Sequence, residues 1–368
     1  MKKYYFILLS AFLFINGCKK TDALKTYTLF VGTYTDNGSE GIYSYSFNAN
    51  TGELTHKKLA APIGNPSFLK ISPNKKYLYA VEETDAYEGS SGAVVAFGIL
   101  ADSLKKINEG KTLGAHPCHI GITADGKYLA TSNYTGGSVA IFKLGGKGEL
   151  MPNPQFIDHK VLDTANTSHA HSAIFTDNEL YVADLGLDAV LRYTLKDDKW
   201  FPYQQQPLDM APKAGPRHFT FGQEGKFLYV INELNSTITV LERKVDYSYT
   251  ELETLSTLAS DFDGESFCAD IHLSKDGKFL YGSNRGENTL VIFKVDQVNG
   301  KLDLVGRESV QGDWPRNFGL DPSGKFLLVA NQRSNNITVY KRNGEDGTLN
   351  FLNEVELPSP VCLEFLDF

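Results

Sequence analysis

Any chemistry in this 368-residue chain falls to a few scattered side chains: His119, His171, His218 and His272, Arg217, Arg285 and Arg316, with Glu233, Asn317 and Gln332. Guanidinium groups hold phosphate or carboxylate through paired contacts, and an imidazole or carboxylate beside them can move a proton. In a chain of formal net charge −8, a local group of arginines would focus a small anion. No G-x-S-x-G elbow, phosphate-binding loop or dinucleotide fingerprint accompanies them. Few of these residues are neighbours in sequence, so the fold must bring them together.

Repetition supplies the means. His119-IGITADGKYLATSNYTGGSVAIFKL, His218-FTFGQEGKFLYVINELNSTITVLER and Asn317-FGLDPSGKFLLVANQRSNNITVYKR are copies of one unit, with looser copies from Phe68, His171 and Asp270. Each reads as strand, D-G-K-type turn, aromatic strand, polar turn and V/I-T-V strand, often with a fourth strand after G-x-L. The turn positions Lys76, Lys127, Asn178, Lys226, Lys278 and Lys325 recur at intervals of 47 to 52 residues. Four antiparallel strands at that period predict an all-β, seven-bladed β-propeller. The seventh unit is split. Thr26–Thr33 and Gly41–Phe47 match the second and third strands, and Pro360–Leu366 supplies the missing first strand, closing the ring.

First strands line the channel of a propeller, so aligning the units places particular residues at one mouth. The predicted channel-facing ring is Phe68, His119, His171, His218, Asp270, Asn317 and Cys362, with His272 two residues further along its strand. Just before the ring stand Ser67, Cys118, Ala170, Arg217, Ala269, Arg316 and Val361; the second strands end at Thr33, Glu83, Tyr134, Leu185, Glu233, Arg285 and Gln332. The mouth thus collects His171, His218, Arg217, Glu233, Arg285, Arg316, Asn317 and Gln332. Small or neutral residues at the equivalent positions, such as Ser67, Ala269 and Thr33, imply that alanine at Arg217 or Arg285 spares folding. The Asn column, Asn133, Asn232, Asn284 and Asn331, reads as turn chemistry, and Asp261–Glu265 as a surface loop.

The composition, 42% hydrophobic and 22% charged, excludes wholesale disorder, a collagen-like fibre and a multi-span membrane protein. The acidic balance argues against nucleic acid as a partner. At the N-terminus, Lys2 and Lys3 precede an apolar run ending in Phe14-Ile15-Asn16-Gly17-Cys18, which resembles a bacterial lipobox. The expectation is a signal peptide over 1–17, lipidation of Cys18, a short tether over 18–25 and the propeller over 26–368. Such a chain is exported and faces the periplasm, touching the membrane only through its lipid anchor; the alternative is a cytoplasmic protein whose first strand is this run. Cys118, Cys268 and Cys362 match no metal or redox spacing and read as small buried residues.

The phrases Asn65-Pro-Ser-Phe, His116-Pro-Cys-His, Gly215-Pro-Arg-His-Phe, Asn232-Glu-Leu, Ser283-Asn-Arg-Gly and Trp314-Pro-Arg-Asn-Phe occur in an order that resembles the seven-bladed lactonase family. That family includes propeller-type 6-phosphogluconolactonases and the fungal carboxy-cis,cis-muconate cyclases. The resemblance implies catalysis at His171, Arg217, Glu233 and Arg285, without a metal or other cofactor, on a small anionic lactone. His119, His218, His272, Arg316, Asn317 and Gln332 would bind the substrate. In the expected mechanism water opens the ring, with His171 or Glu233 as base and the arginines stabilising the oxyanion. The alternatives are the reverse, muconate-type cyclisation, and a non-catalytic binding propeller, which would carry apolar anchors on a face instead of charge at the channel mouth.

Overall fold

A computed structural model describes residues 1–2, 25–163, 165–205 and 207–367. Residues 3–24, most of the segment read as signal peptide and tether and including Cys18, lie outside the described residues. The described strands form seven sheets in ring order. Blades 2 to 7 span 69–111, 117–158, 170–209, 216–256, 267–309 and 315–356. Blade 1 combines 26–62 with Pro360–Leu366, which takes the innermost place and pairs antiparallel with Thr26–Thr33 from Thr28↔Leu366 to Gly32↔Cys362. In blade 4 the outer strand is broken in two, Lys199–Pro202 and Leu208–Asp209, both paired with Ala189–Lys196.

Alternation puts an apolar residue on each face of each sheet, and both faces are covered because every blade packs between two others. The core of the described residues is accordingly seven clusters, each shared by two neighbouring blades. A fully buried aromatic or leucine in such a seam contributes roughly 1.5–3 kcal/mol. The repeated G-x-L explains the register between blades. Gly148, Gly300 and Gly347 have φ of 79°, 74° and 79°, and a Cβ there would strike Tyr77, Phe227 and Phe279 of the preceding blade. The tyrosine two residues on donates to the same glycine's carbonyl: Tyr79 to Gly148 at 3.0 Å, Tyr229 to Gly300 at 2.9 Å and Tyr281 to Gly347 at 2.8 Å.

The Asn column does more than cap bends. Asn133, Asn284 and Asn331 are fully buried and donate to Thr112, Thr257 and Val310, carbonyls on the connection arriving from the previous blade. They tie blades together. Cys118, Cys268 and Cys362 are buried free thiols, and Cys362 Sγ receives the Leu69 amide at 3.2 Å where the ring closes.

Candidate active site

Bulges in the first strands aim the unusual side chains. Pro216 pairs with Asn232 and His218 with Ile231, leaving Arg217 unpaired. The same step leaves Cys118 between Pro117 and His119, Arg316 between Pro315 and Asn317, and His171 between Ala170 and Ser172. An extra residue breaks the alternation and turns a side chain out of the ladder. Backbone strain precedes it: His116 and Trp314, each before a proline, have φ of 54° and 65°.

This register corrects two sequence assignments. His171 is not the ring residue of blade 4; it is the bulge equivalent of Arg217 and Arg316, and Ser172 faces the channel in its place. The copy in blade 4 is two residues shorter in its turn, not the one residue the alignment allowed, and this displaced it by one position. In blade 1 the rim residue is Tyr34, not Thr33. The Tyr34 amide bonds Ser359 O as the Glu233 amide bonds Gly215 O, while the Thr33 hydroxyl is buried against Ser39 and Gly41 O.

Glu233 is the hub of the set expected to be catalytic. Its carboxylate lies 2.8 Å from Arg217 Nε and 3.0 Å from Arg285 Nη2. The Arg217 Nε–H is not directed at the carboxylate, so that contact is Coulombic rather than a hydrogen bond. Arg217 Nη1 donates to Ala269 O at 2.6 Å and reaches His218 Nε2 at 3.3 Å; Arg285 donates to Phe267 O and Cys268 O. Among the described residues Arg217 Nη2 and Arg285 Nη1 make no hydrogen bond. Burial alone would raise the Glu233 carboxyl, but Arg285 and Arg217 outweigh it and hold it below the usual range. Arg217 and Arg285 are 2% and 5% exposed. They are not tolerant rim positions: removing either leaves Glu233 short of a partner in a dry place. Burial and these ion pairs argue against the expectation that alanine spares folding.

His171 sits beside this hub, buried, with its Nδ1 unpartnered. Its ring packs edge-on against Tyr134 at 5.6 Å and His218 at 5.1 Å, and His169 stacks on the same tyrosine. Burial first, then Arg217, pushes its pKa well below the usual histidine value, so the imidazole is neutral. Arg316 lies over the Tyr34 ring at 5.2 Å and 4.0 Å from Glu83, which accepts the Tyr34 hydroxyl at 2.9 Å. Three arginines thus face two glutamates.

A second compartment lies behind the first. A cavity of about 250 Å³ in the channel is lined by His119, His218, Asp270, His272 and Asn317 together with Phe68 and Lys70, and not by the Arg–Glu hub. Buried Asp270 ties the blades there. It accepts from His218 Nδ1 at 2.8 Å, His272 Nε2 at 3.0 Å and Asn317 Nδ2 at 2.5 Å. His119 Nδ1 accepts the Ala173 amide at 3.2 Å, which leaves its proton on Nε2. Burial, then Arg217, lowers His218 to about 4; at His272 the Asp270 carboxylate outweighs burial and raises the value.

The structure therefore brings His171, Arg217, Glu233, Arg285 and Arg316 together at the mouth, with the Gln332 amide bonded to Trp314 O on the same rim. It places His119, His218, His272 and Asn317 one layer deeper. Tyr34, Glu83 and Asp270 were missing from the sequence-derived set. Glu83 and Asp270 stood in its aligned columns as charged residues among neutral ones, a usable signal; Tyr34 was hidden by the one-residue slip.

Residues 28–365 match the family described as lactonase, 7-bladed beta-propeller. The chain is 35% identical to a Bacillus subtilis 6-phosphogluconolactonase over 349 residues, 92% of this chain and 98% of that one. It is 39% identical to a Formosa agariphila 6-phosphogluconolactonase over 315 residues, 80% and 86% of the two chains. The structure of a periplasmic gluconolactonase from Pseudomonas aeruginosa superposes with a TM-score of 0.87 at 32% identity, covering 93% of this chain and 99% of the other.

Proposed function

The chain belongs to the lactonase family of seven-bladed β-propellers, and from that premise we propose that its channel mouth opens a sugar or acidic lactone with water. The protein is a lactone hydrolase, a carboxylic ester hydrolase. One observation carries the assignment to this mouth: the buried His171 Nδ1 has no partner beside the Arg217–Glu233–Arg285 group, whose two arginines each keep an unbonded nitrogen.

Water attacks the lactone carbonyl carbon as His171 takes its proton. Charge developing on the carbonyl oxygen is met by Arg217 and Arg285, already oriented by Glu233 and by backbone carbonyls, so little reorganisation accompanies the reaction. When the ring C–O bond breaks, the proton on His171 passes to the leaving oxygen, giving the hydroxy acid. Glu233 is a poor base in this arrangement, because both arginines stabilise its anion; its part is to hold them. Purified protein should hydrolyse members of a panel of sugar and muconate lactones, followed by direct loss of lactone. No loss above the spontaneous rate across the panel would overturn the reading.

We read residues 1–17 as an export signal with Cys18 lipidated, a reading supported by the periplasmic gluconolactonase among the similar structures. A palmitate analogue should label the full-length chain in cells and spare Cys18→Ala; equal labelling of the two removes the anchor.

A further inference from the structure

The three mouth arginines are held differently. Arg217 and Arg285 are fastened to backbone carbonyls and to Glu233. Arg316 donates no hydrogen bond among the described residues, although its side chain is only 17% exposed. Its nearest carboxylate, Glu83, is 4.0 Å away, beyond hydrogen-bond range, and the same Glu83 oxygen already receives the Tyr34 hydroxyl at 2.9 Å. The Tyr34 ring supports the guanidinium from one face at 5.2 Å. A guanidinium carries five N–H donors, and those of Arg316 are open to solvent and bonded to no protein group among the described residues, free to meet a ligand.

We propose that Arg316, braced by Tyr34 and Glu83, is the charge-selecting residue of the site: it binds an anionic substituent of the lactone, phosphate or carboxylate, away from the reacting carbonyl. The inference rests on the lactonase reading and adds the residue that selects a charged over a neutral lactone. Arg316 projects from the bulge of blade 7, whereas His171 and Arg217 project from blades 4 and 5. A substrate bridging them presents its carbonyl on one side of the mouth and its charge on the other. Three arginines against two glutamates leave one positive charge for that anion. Glu83 competes with it, so the two residues should act with opposite sign.

The test compares kcat/KM for neutral glucono-δ-lactone, 6-phosphoglucono-δ-lactone and the carboxylate-bearing glucaro-1,4-lactone. Wild type should prefer an anionic member, and inorganic phosphate should compete with it. Arg316→Gln should lower the anionic-to-neutral ratio by about 10- to 100-fold, the range of a charge-assisted contact, mostly through KM. Arg316→Lys should restore part of it, and also keeps the test open if the glutamine variant folds poorly. Glu83→Gln, which preserves an acceptor for Tyr34, should lower KM for the anionic lactone. Whichever anionic lactone loses its advantage in Arg316→Gln identifies the recognised group. A preference for the neutral lactone in wild type, or an unchanged ratio in Arg316→Gln, overturns the assignment while leaving hydrolysis intact. Failure to hydrolyse any of the three removes the lactonase reading first.

Discussion

Two glutamates in this propeller are each gripped by two arginines, and only one of the two clusters is built for chemistry. At the mouth, Glu233 meets Arg217 and Arg285. On the opposite face, at the seam of blades 4 and 5, Glu179 meets Arg192 and Arg243, both at 3.1 Å. The charges are identical. Around Glu179, however, the Tyr181 hydroxyl also bonds the carboxylate, Arg192 lies 4.0 Å over Tyr203 and donates to Tyr247 O, and Arg243 lies 4.7 Å over Tyr247. Arg192 is spent on the protein itself, while Arg243 donates only to Glu179 and keeps its Nε unpartnered. Around Glu233 the outer guanidinium nitrogens are unbonded, a neutral histidine waits with a free nitrogen, and a third arginine stands within Coulombic range. An Arg–Glu–Arg group is thus a means of tying blades; what sets the mouth apart is an unpartnered histidine nitrogen and a third arginine beside it.

The sharpest way to break the comparison is to remove the base. His171→Ala should lower kcat by roughly 10²- to 10⁴-fold, the usual range for general-base loss, with an unchanged fold by circular dichroism. The variant would sink the assignment by retaining more than a tenth of wild-type turnover on the best lactone.

Next come the arginines, where the clusters should part company. Arg217→Ala and Arg285→Ala should each lose about 10²- to 10³-fold in kcat and about 3–5 kcal/mol of stability, because a buried carboxylate loses a partner. Arg192→Ala should lose comparable stability by urea denaturation and leave kcat where it was. A fall in kcat for Arg192→Ala matching that of Arg217→Ala would mean that both effects are structural, and the distinction between the clusters would vanish.

Much of this was legible in the sequence. The seven units, the split first blade and the closing strand follow from a period of about fifty residues and from turn chemistry, which are local signals that every copy repeats. The columns exposed the charged residues because neighbouring copies lack them. Two things were hidden. The blade 4 turn lacks two residues with no marker of how many, so His171 slid into the ring; the strands of blade 1 share no turn to fix their register, so Tyr34 slid out of the rim. Burial was hidden as well: Arg217 occupies a position where other blades carry Ser67, Cys118 and Ala269, and its bond to Ala269 O and the Arg285 contact with Glu233 come from across the seam of blades 5 and 6.

The deeper layer offers a smaller effect. Burial would raise the Asp270 carboxyl, but His272 and His218 outweigh it and hold it well below the carboxylate range. Its share of stability is present above the unfolded carboxyl value and is lost as pH falls through the folded one. His272 runs the other way: its value is raised from 6.5, so its share is complete below 6.5 and is lost as pH rises through the folded value. The pair is strongest between these limits. Asp270→Asn should lower the melting temperature most between these limits and less beyond them on either side, and a profile identical to wild type would remove Asp270 from the account.

The smallest expected effect separates His171 from Glu233 as base. Catalysis requires the base unprotonated, so kcat/KM falls on the acid side as His171 takes a proton in the free enzyme. Burial and then Arg217 hold that pKa well below 6.5, so the acid limb of wild type should lie below 6.5. Arg217→Gln removes the second of these causes and keeps the first. The limb should therefore move upward, toward 6.5 without reaching it, on top of the lower plateau. Arg192→Gln, on the far face, should leave the limb in place. Because Arg217 also lowers Glu233, an upward shift alone does not choose between the two. The choice comes from adding His171→Ala to Arg217→Gln: if His171 is the base, the residual activity loses its acid limb altogether. A limb that survives this double change and still moves with Arg217 would transfer the base to Glu233.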